Sequence, residues 1–332
     1  MRVPVPAPHP VTLHPEQKDE ISAALSTFGY VVLAEAYSDG DVRELNEFCD
    51  ATQRSSPESW ADSDAQDGLS DLTWYNPLCD PQALPVLERF VRHERTFPCV
   101  NRALANTARF AEFDFRETVR AGSAAVAGDM PFHHDQGTHG ASSAAKIARR
   151  VQRSKMVISR MGLDGTIPHY HEHLCCIVYL TDVGPDEPAF AVVPGSHRIP
   201  AIDPPERGVP ADVETKLGNQ YCEVPLLGPA GTAIVYDISL YHTRLNGSSS
   251  GTGRRTLHTY FSRDGTDCLT DWVLIPEQLA RSPNLETKAF FSQWNYSQQL
   301  YAASGFDPGR FTALANRTTS FPQRLLRGAL AR

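Results

Sequence analysis

A mainly β fold of the jelly-roll type, with helices packed at either end, is what the sequence predicts, and three observations carry that expectation. From residue 156 onward, short β-branched runs at 156–159, 175–180, 189–193, 232–236 and 256–261 are separated by turn signals. These runs follow one another without intervening helical periodicity, which favours a sandwich or barrel of antiparallel strands over alternating βαβ units. Helical spacing is confined to the stretches before and after them.

The elements can be justified in order. Ile21, Leu25 and Phe28 recur at helical spacing within 15–28, and Gly29 ends that helix. The β-rich stretch 30–33 follows as a strand, and Ser38 ahead of Val42, Leu45 and Phe48 reads as the cap of a second helix. Residues 55–70 are polar and rich in Gly, Asp and Ser, a loop by composition, and 82–110 reads as a further helical region. Beyond the β runs, 272–332 is helical in pattern, with Phe290, Phe291, Trp294 and Tyr301 as a face to pack on the barrel. A single domain over 1–332 is expected, with a helical N-terminal layer at about 10–115, a jelly-roll core at about 125–265 and a helical extension at about 270–332.

Composition excludes several classes of function. With 41% hydrophobic residues the chain can bury a sizeable core, and its longest apolar run, 174–180, is far short of the roughly 18–20 residues of a bilayer span. A formal charge of −8 argues against a surface made to neutralise nucleic-acid phosphates. The seven cysteines form no C-x-x-C pair and no framework spacing, which predicts reduced thiols and a cytoplasmic location. Phosphate-cradling glycine loops, a dinucleotide fingerprint and a nucleophile elbow are all missing from the sequence.

Histidine placement carries the chemistry. In Phe132-His133-His134-Asp135 the side chains at i and i+2 of an extended segment share one face, so His133 and Asp135 can bind one metal ion together. His242, after the apolar run 231–237, is the candidate third ligand of a two-histidine, one-carboxylate face that leaves positions of Fe(II) open. Arg254 stands twelve residues later at the start of the next run, and a hairpin would set it beside His242, where it could hold the far carboxylate of a chelating diacid. A rival metal site is the pentad His169-Tyr170-His171-Glu172-His173, which could join His242 as a three-histidine set. Its other readings are a lining of the substrate mouth or a polar hairpin.

Taken together these residues resemble the phytanoyl-CoA dioxygenase family of Fe(II)- and 2-oxoglutarate-dependent oxygenases. The resemblance rests on the first helix with Phe28-Gly29-Tyr30-Val31-Val32-Leu33, on the His133-x-Asp135 pair, and on Tyr179-Leu180-Thr181-Asp182-Val183 leading to Pro194-Gly195-Ser196-His197. The strand from Gly231, His242, Asn246 and Arg254-Arg255-Thr256-Leu257 complete it. It implies a double-stranded β-helix, the cupin-like jelly-roll barrel, with helices outside. It implies further that His133, Asp135 and His242 hold iron and that Arg254 pairs with 2-oxoglutarate, Arg255 being a weaker candidate on the opposite face of the strand. His197 is a landmark of the family and no ligand, and His258, on the face of Arg254, fills the barrel or lines the pocket. Two departures stand out: Arg244 occupies the second position after His242, where the family commonly has a small residue, and Asn246 comes at four positions rather than five. Arg244 is therefore a second candidate for meeting an anion.

The implied activity is a dioxygenase reaction using Fe(II), O2 and 2-oxoglutarate as cosubstrate, which hydroxylates or otherwise oxidises a C–H bond of a small-molecule metabolite and releases succinate and CO2. Halogenation is disfavoured because Asp135 takes the place a halide would need. The expected partners are a small-molecule substrate and, at most, a second copy of the chain, with neither nucleic acid nor membrane. The alternatives are a cupin-like metalloenzyme that uses the His169, His171 and His173 cluster without 2-oxoglutarate, or a catalytically silent jelly-roll binding subunit.

Overall fold

The computed structural model describes residues 9–55, 57, 60–62, 72–75, 84–118, 132–135, 171–199, 208–248, 251–264 and 277–291. The strand expected at 156–159, His169 and the tail beyond 291, with Trp294 and Tyr301, lie outside the described residues.

The N-terminal part begins with strand β1 (Thr12–Leu13), helix α1 (Lys18–Phe28), β2 (Tyr30–Leu33) and α2 (Asp39–Ser55). Ile21, Ala24, Leu25 and Phe28 make the buried stripe of α1, and burying such a stripe is what holds a short helix together. Gly29 ends α1 in the left-handed region at φ 80°, donating its N–H to the Leu25 carbonyl. A Cβ there would come within 2.5 Å of His197 Nδ1 and 2.8 Å of a Leu240 methyl carbon. Gly29→Ala is thus expected to cost at least about 1–2 kcal/mol from backbone strain alone, read as a lower melting temperature, with the overlap on His197 adding to it. Ser38 caps α2 reciprocally: its Oγ accepts from the Asp41 N–H at 3.2 Å, and Asp41 Oδ2 accepts the Ser38 N–H at 3.0 Å.

Two strands β3 (Ala61–Asp62) and β4 (Leu72–Tyr75) come next, then α3 (Leu84–Val91), α4 (Phe97–Ala103) and β5 (Ala108–Thr118). The helical region expected over 82–110 therefore ends early and is two helices. Ala105 and Asn106, both at positive φ (57° and 60°), turn the chain out of α4. The following alternation of Phe110, Phe113 and Phe115 with polar residues then serves an eleven-residue strand, so the N-terminal layer is only partly helical.

The remaining elements are β6 (His173–Tyr179), β7 (Phe190–Val192), α5 (Ala211–Leu217), β8 (Val224–Leu226), β9 (Ala233–Asp237), β10 (His242–Arg244), β11 (Arg254–Arg263), α6 (Glu277–Ala280) and α7 (Leu285–Phe290). Among the described residues one sheet has eight strands in the order β1-β2-β9-β6-β11-β5-β4-β3, and a second has three in the order β10-β7-β8. Apart from the parallel β1–β2 pair, the strand pairs are antiparallel. The order shows that neighbours in the sheets are mostly not neighbours in sequence, as the crossing connections of a jelly roll require. The fold is the mainly β, jelly-roll architecture with flanking helices that the sequence predicts.

The sheets face each other across aromatic and histidine side chains. Phe190 on β7 lies 4.9 Å from the Tyr236 ring on β9, and Tyr236 lies 5.0 Å from the His242 ring on β10. Tyr179 on β6 reaches across to donate its hydroxyl to the Leu226 carbonyl on β8 at 2.6 Å. Phe290 and Phe291 pack on Phe110, and Phe290 also meets Phe97 and Phe261, so the described part of the C-terminal extension is a helical cover on the large sheet. Cys49, Cys99, Cys175 and Cys176 are free and buried, and burial pushes the Cys49 and Cys176 thiols up to about 12.

Candidate metal centre

His133 is tied to β10 by a pair of backbone hydrogen bonds: its N–H donates to the His242 carbonyl at 2.9 Å, and its carbonyl accepts the His242 N–H at 2.8 Å. Extended backbone at this bridge puts Asp135 two positions on, on the same side as His133, with the Asp135 N–H held by the Ile238 carbonyl at 3.0 Å. The result is a cluster of His133, Asp135 and His242 whose three candidate ligand atoms all lie within 4.8 Å of one another. Asp135 Oδ1 is 3.7 Å from His133 Nε2 and 3.5 Å from His242 Nε2. Asp135 and His242 are buried, and His133 is partly open. Among the described residues this is the one group of three or more His, Cys, Asp or Glu side chains so arranged.

The surroundings orient these atoms. His242 Nδ1 lies 2.9 Å from the Leu240 carbonyl, an acceptor only, so the ring proton sits on Nδ1 and the Nε2 lone pair is left for a metal. The other Asp135 oxygen, Oδ2, accepts from the Tyr236 hydroxyl at 3.3 Å and the Tyr260 hydroxyl at 3.4 Å. Burial raises both phenols well above their ordinary value, which keeps them O–H donors. Tyr260 in turn accepts from Arg116 Nη2 at 3.2 Å, and Arg116 is paired with Asp114 Oδ2 at 3.0 Å. Burial and the Asp114 charge drive Glu112 beside them well above the ordinary carboxyl range.

Arg254, Thr256, His258 and Tyr260 alternate on the inward face of β11. His258 has its Nε2 3.0 Å from Thr256 Oγ1, and burial together with the Arg116 and Arg254 charges holds it well below the ordinary imidazole value. It is a buried neutral imidazole on the strand face of Arg254. Arg254 is 6% exposed, and its Nε and Nη1 have no hydrogen-bond partner among the described residues. Burial lowers its pKa to about 10, with Tyr179 opposing the shift and Arg244 and Arg116 adding to it. Arg244 is also buried. Arg255 points the other way, to Asp50 at 2.9 Å, Asn46 at 3.0 Å and Glu117 at 3.3 Å, as strand alternation requires.

One expectation fails in its details. His242 and Arg254 do not form a hairpin: β10 belongs to the small sheet beside β7, whereas β11 lies between β5 and β6 in the large one. The pentad, as far as it is described, joins no metal cluster. His171 Nδ1 is 2.6 Å from Asp237 Oδ2, and His173 opens β6. His197 packs against Gly29 and holds the Ser26 carbonyl at 3.2 Å, in keeping with a landmark that is no ligand. Sequence reasoning missed Tyr236, Tyr260 and the Glu112, Asp114, Arg116 set. The alternation along β5 was the available signal for that set, hidden by reading the stretch up to 110 as helical.

The family model of phytanoyl-CoA dioxygenase matches residues 25–256, from within α1 to the third residue of β11, and includes His133, Asp135, His242 and Arg254. The chain belongs to the phytanoyl-CoA dioxygenase family. It is thus a non-haem iron enzyme of the 2-oxoglutarate-dependent class. No curated protein sequence gives a significant match. Solved structures of similar fold include the epimerase SnoN in complex with Fe3+, alpha ketoglutarate and nogalamycin RO, at 15% identity and a TM-score of 0.55 over 75% of this chain and 84% of that one. The carbocyclase SnoK from nogalamycin biosynthesis is similar at 15% identity and 0.54 over 76% and 87%. EctD from S. alaskensis, with 2-oxoglutarate and 5-hydroxyectoine, is similar at 16% identity and 0.52 over 77% and 79%.

Proposed function

We propose that this family member uses His133, Asp135 and His242 to hold Fe(II), and Arg254 with Arg244 to hold the far carboxylate of 2-oxoglutarate, in order to hydroxylate a C–H bond of a small-molecule metabolite. The observation that carries the reading is the nearness of two donor sets, since His258, on the strand face of Arg254, feels the charges of Arg254, Asp135 and His242 alike. Two imidazole nitrogens and a carboxylate suit a six-coordinate Fe(II) with open positions. A buried guanidinium whose Nε and Nη1 find no partner among the described residues is costly unless an anion completes it, and a dicarboxylate does so by bidentate hydrogen bonds. When bound, the iron and its cosubstrate couple O2 to C–H oxidation with release of succinate and CO2.

The chain's own residues then have defined tasks. His242 presents Nε2 because Leu240 takes its other ring proton. Asp135 would offer Oδ1 while Tyr236 and Tyr260 donate to Oδ2, which would favour binding through one oxygen. His258 stays neutral, so it adds no charge to compete with Arg254 for the cosubstrate. Tyr179 packs its ring against the Arg254 guanidinium, 6.0 Å from ring centre to Cζ, and steadies it. The retained Asp135 supports hydroxylation over halide transfer. A small-molecule substrate is supported by relatives of the same fold crystallised with nogalamycin RO or 5-hydroxyectoine.

Anaerobic titration of the apoprotein with Fe(II) and 2-oxoglutarate tests the reading without a substrate. The expected result is a saturable visible charge-transfer band that requires both additions. Iron binding without the band would overturn the cosubstrate assignment, and failure to bind iron would overturn the metal site.

A further inference from the structure

The pentad left over from the metal site has a place in the structure, through His171. β9 ends at Asp237, and a tight turn from there to Leu240 leads into β10. Asp237 builds that turn: its carbonyl accepts the Leu240 N–H at 2.8 Å, and its Oδ1 accepts both the Ser239 N–H at 2.8 Å and the Ser239 hydroxyl at 2.5 Å. Its other oxygen, Oδ2, faces His171 Nδ1 at 2.6 Å. His171 and Asp237 are both buried, and the His171 ring stacks at 6.2 Å on His197, which is itself wedged against Gly29.

This turn carries two carbonyls that face the metal centre. Ile238 O accepts the N–H of Asp135, and Leu240 O accepts the ring proton of His242. One hydrogen bond fixes the backbone under the carboxylate, and the other fixes the tautomer and rotation of an imidazole. Two of the three candidate ligands are therefore oriented by one four-residue turn, and that turn is clamped from outside by a histidine whose partner is 66 residues away in sequence.

We propose that His171 and Asp237 are positioning residues for the iron site, acting through the carbonyls of Ile238 and Leu240. This rests on the iron reading above. A carboxylate without the His171 N–H keeps only its Ser239 partners among the described residues and can rotate, leaving the turn held to β6 by backbone alone, through the Leu174–Asp237 pairing and the Ile238 N–H on the His173 carbonyl at 3.4 Å. Hydrogen-bonded groups behind metal ligands affect metal affinity by about 10–100-fold when removed.

The test is Fe(II) affinity of the apoprotein, with the Fe(II)·2-oxoglutarate band as a second readout and circular dichroism and melting temperature as checks on folding. His171→Phe, which fills the space but donates nothing, is expected to weaken Fe(II) binding by about 10–100-fold and to shift or broaden the band while the fold persists. His171→Asn, whose amide can donate to Asp237, is expected to restore most of the affinity. A folded His171→Phe protein with wild-type affinity and an unchanged band would overturn the proposal, as would a folded His171→Asn protein as weak as His171→Phe. Should His171→Phe fail to fold, the comparison passes to Asp237→Asn, which keeps the Ser239 acceptor but opposes an amide to His171. A folded Asp237→Asn protein with wild-type affinity would then overturn the proposal, and weakened affinity would support it. The wild-type titration separates the two readings: without iron binding there, the metal assignment itself falls and this inference falls with it.

Discussion

Asp135→Ala is expected to abolish the Fe(II)·2-oxoglutarate band and iron-dependent consumption of 2-oxoglutarate, with Fe(II) affinity falling by more than about 100-fold, the upper end of what loss of a merely supporting group costs. The reason is that Asp135 supplies the only carboxylate of the cluster, and Oδ1 lies within 3.7 Å of both imidazole Nε2 atoms. Two histidines alone hold a hard divalent ion weakly. The substitution also leaves the hydroxyls of Tyr236 and Tyr260 without their buried acceptor, a loss of about 1–3 kcal/mol for each hydroxyl that finds no other partner. Asp135→Asn separates the two effects, because the amide oxygen can still accept from the tyrosines while the negative charge is gone. If Asp135→Asn melts near wild type and shows no band, the carboxylate is required for metal and not for folding. Retained turnover in Asp135→Ala would move the metal elsewhere, and the histidines before β6 would be the first place to look.

What was legible in the sequence was what alternation and order along the chain can encode. His133 and Asp135 stand two apart on extended backbone, so their shared face follows from strand geometry, and the outward turn of Arg255 toward Asp50 follows in the same way. The stripe of α1 and the stop at Gly29 are equally local. The contact that places His242 beside them is not local: it depends on β10 joining β7 while β11 enters the other sheet, a crossing that strand runs alone do not specify. The same limit hid the tyrosines behind Asp135, since Tyr236 and Tyr260 meet it from β9 and β11 across more than a hundred residues of chain. It also hid the use of His171, whose residue type suggested a ligand and whose neighbour in space, Asp237, makes it a clamp. The strand β5 was misread for another reason. Its alternation of phenylalanines with Glu112, Asp114 and Arg116 follows directly on a helix, and only the positive φ angles of Ala105 and Asn106 show where one period gives way to the other.

Arg254→Met is expected to lower the affinity for 2-oxoglutarate by at least about 100-fold while leaving Fe(II) binding near wild type, and to do so without destabilising the apoprotein. The first half follows from geometry. A dicarboxylate that chelates the iron through one end has its other carboxylate to neutralise, and a paired guanidinium removed from a buried site typically costs about 3–5 kcal/mol, or more than two orders of magnitude in binding. The second half follows from burial. In the apoprotein Arg254 is 6% exposed, its Nε and Nη1 have no hydrogen-bond partner among the described residues, and burial above all pushes it down to about 10, so the folded state carries a desolvated cation that Tyr179 offsets only in part. Methionine of similar length removes that cost and fills the same space. The two proteins should therefore respond to the cosubstrate in opposite ways. Wild type gains melting temperature as 2-oxoglutarate is added in the presence of Fe(II), because the ligand binds only the folded state. Arg254→Met starts at the same melting temperature or higher and gains little. Arg254→Lys keeps the charge without the planar fork, and an intermediate affinity for it would mark bidentate geometry, not charge alone, as what the site uses. A Met variant that still gained stability with 2-oxoglutarate as wild type does would pass the anchoring role to Arg244, whose charge already acts on Arg254.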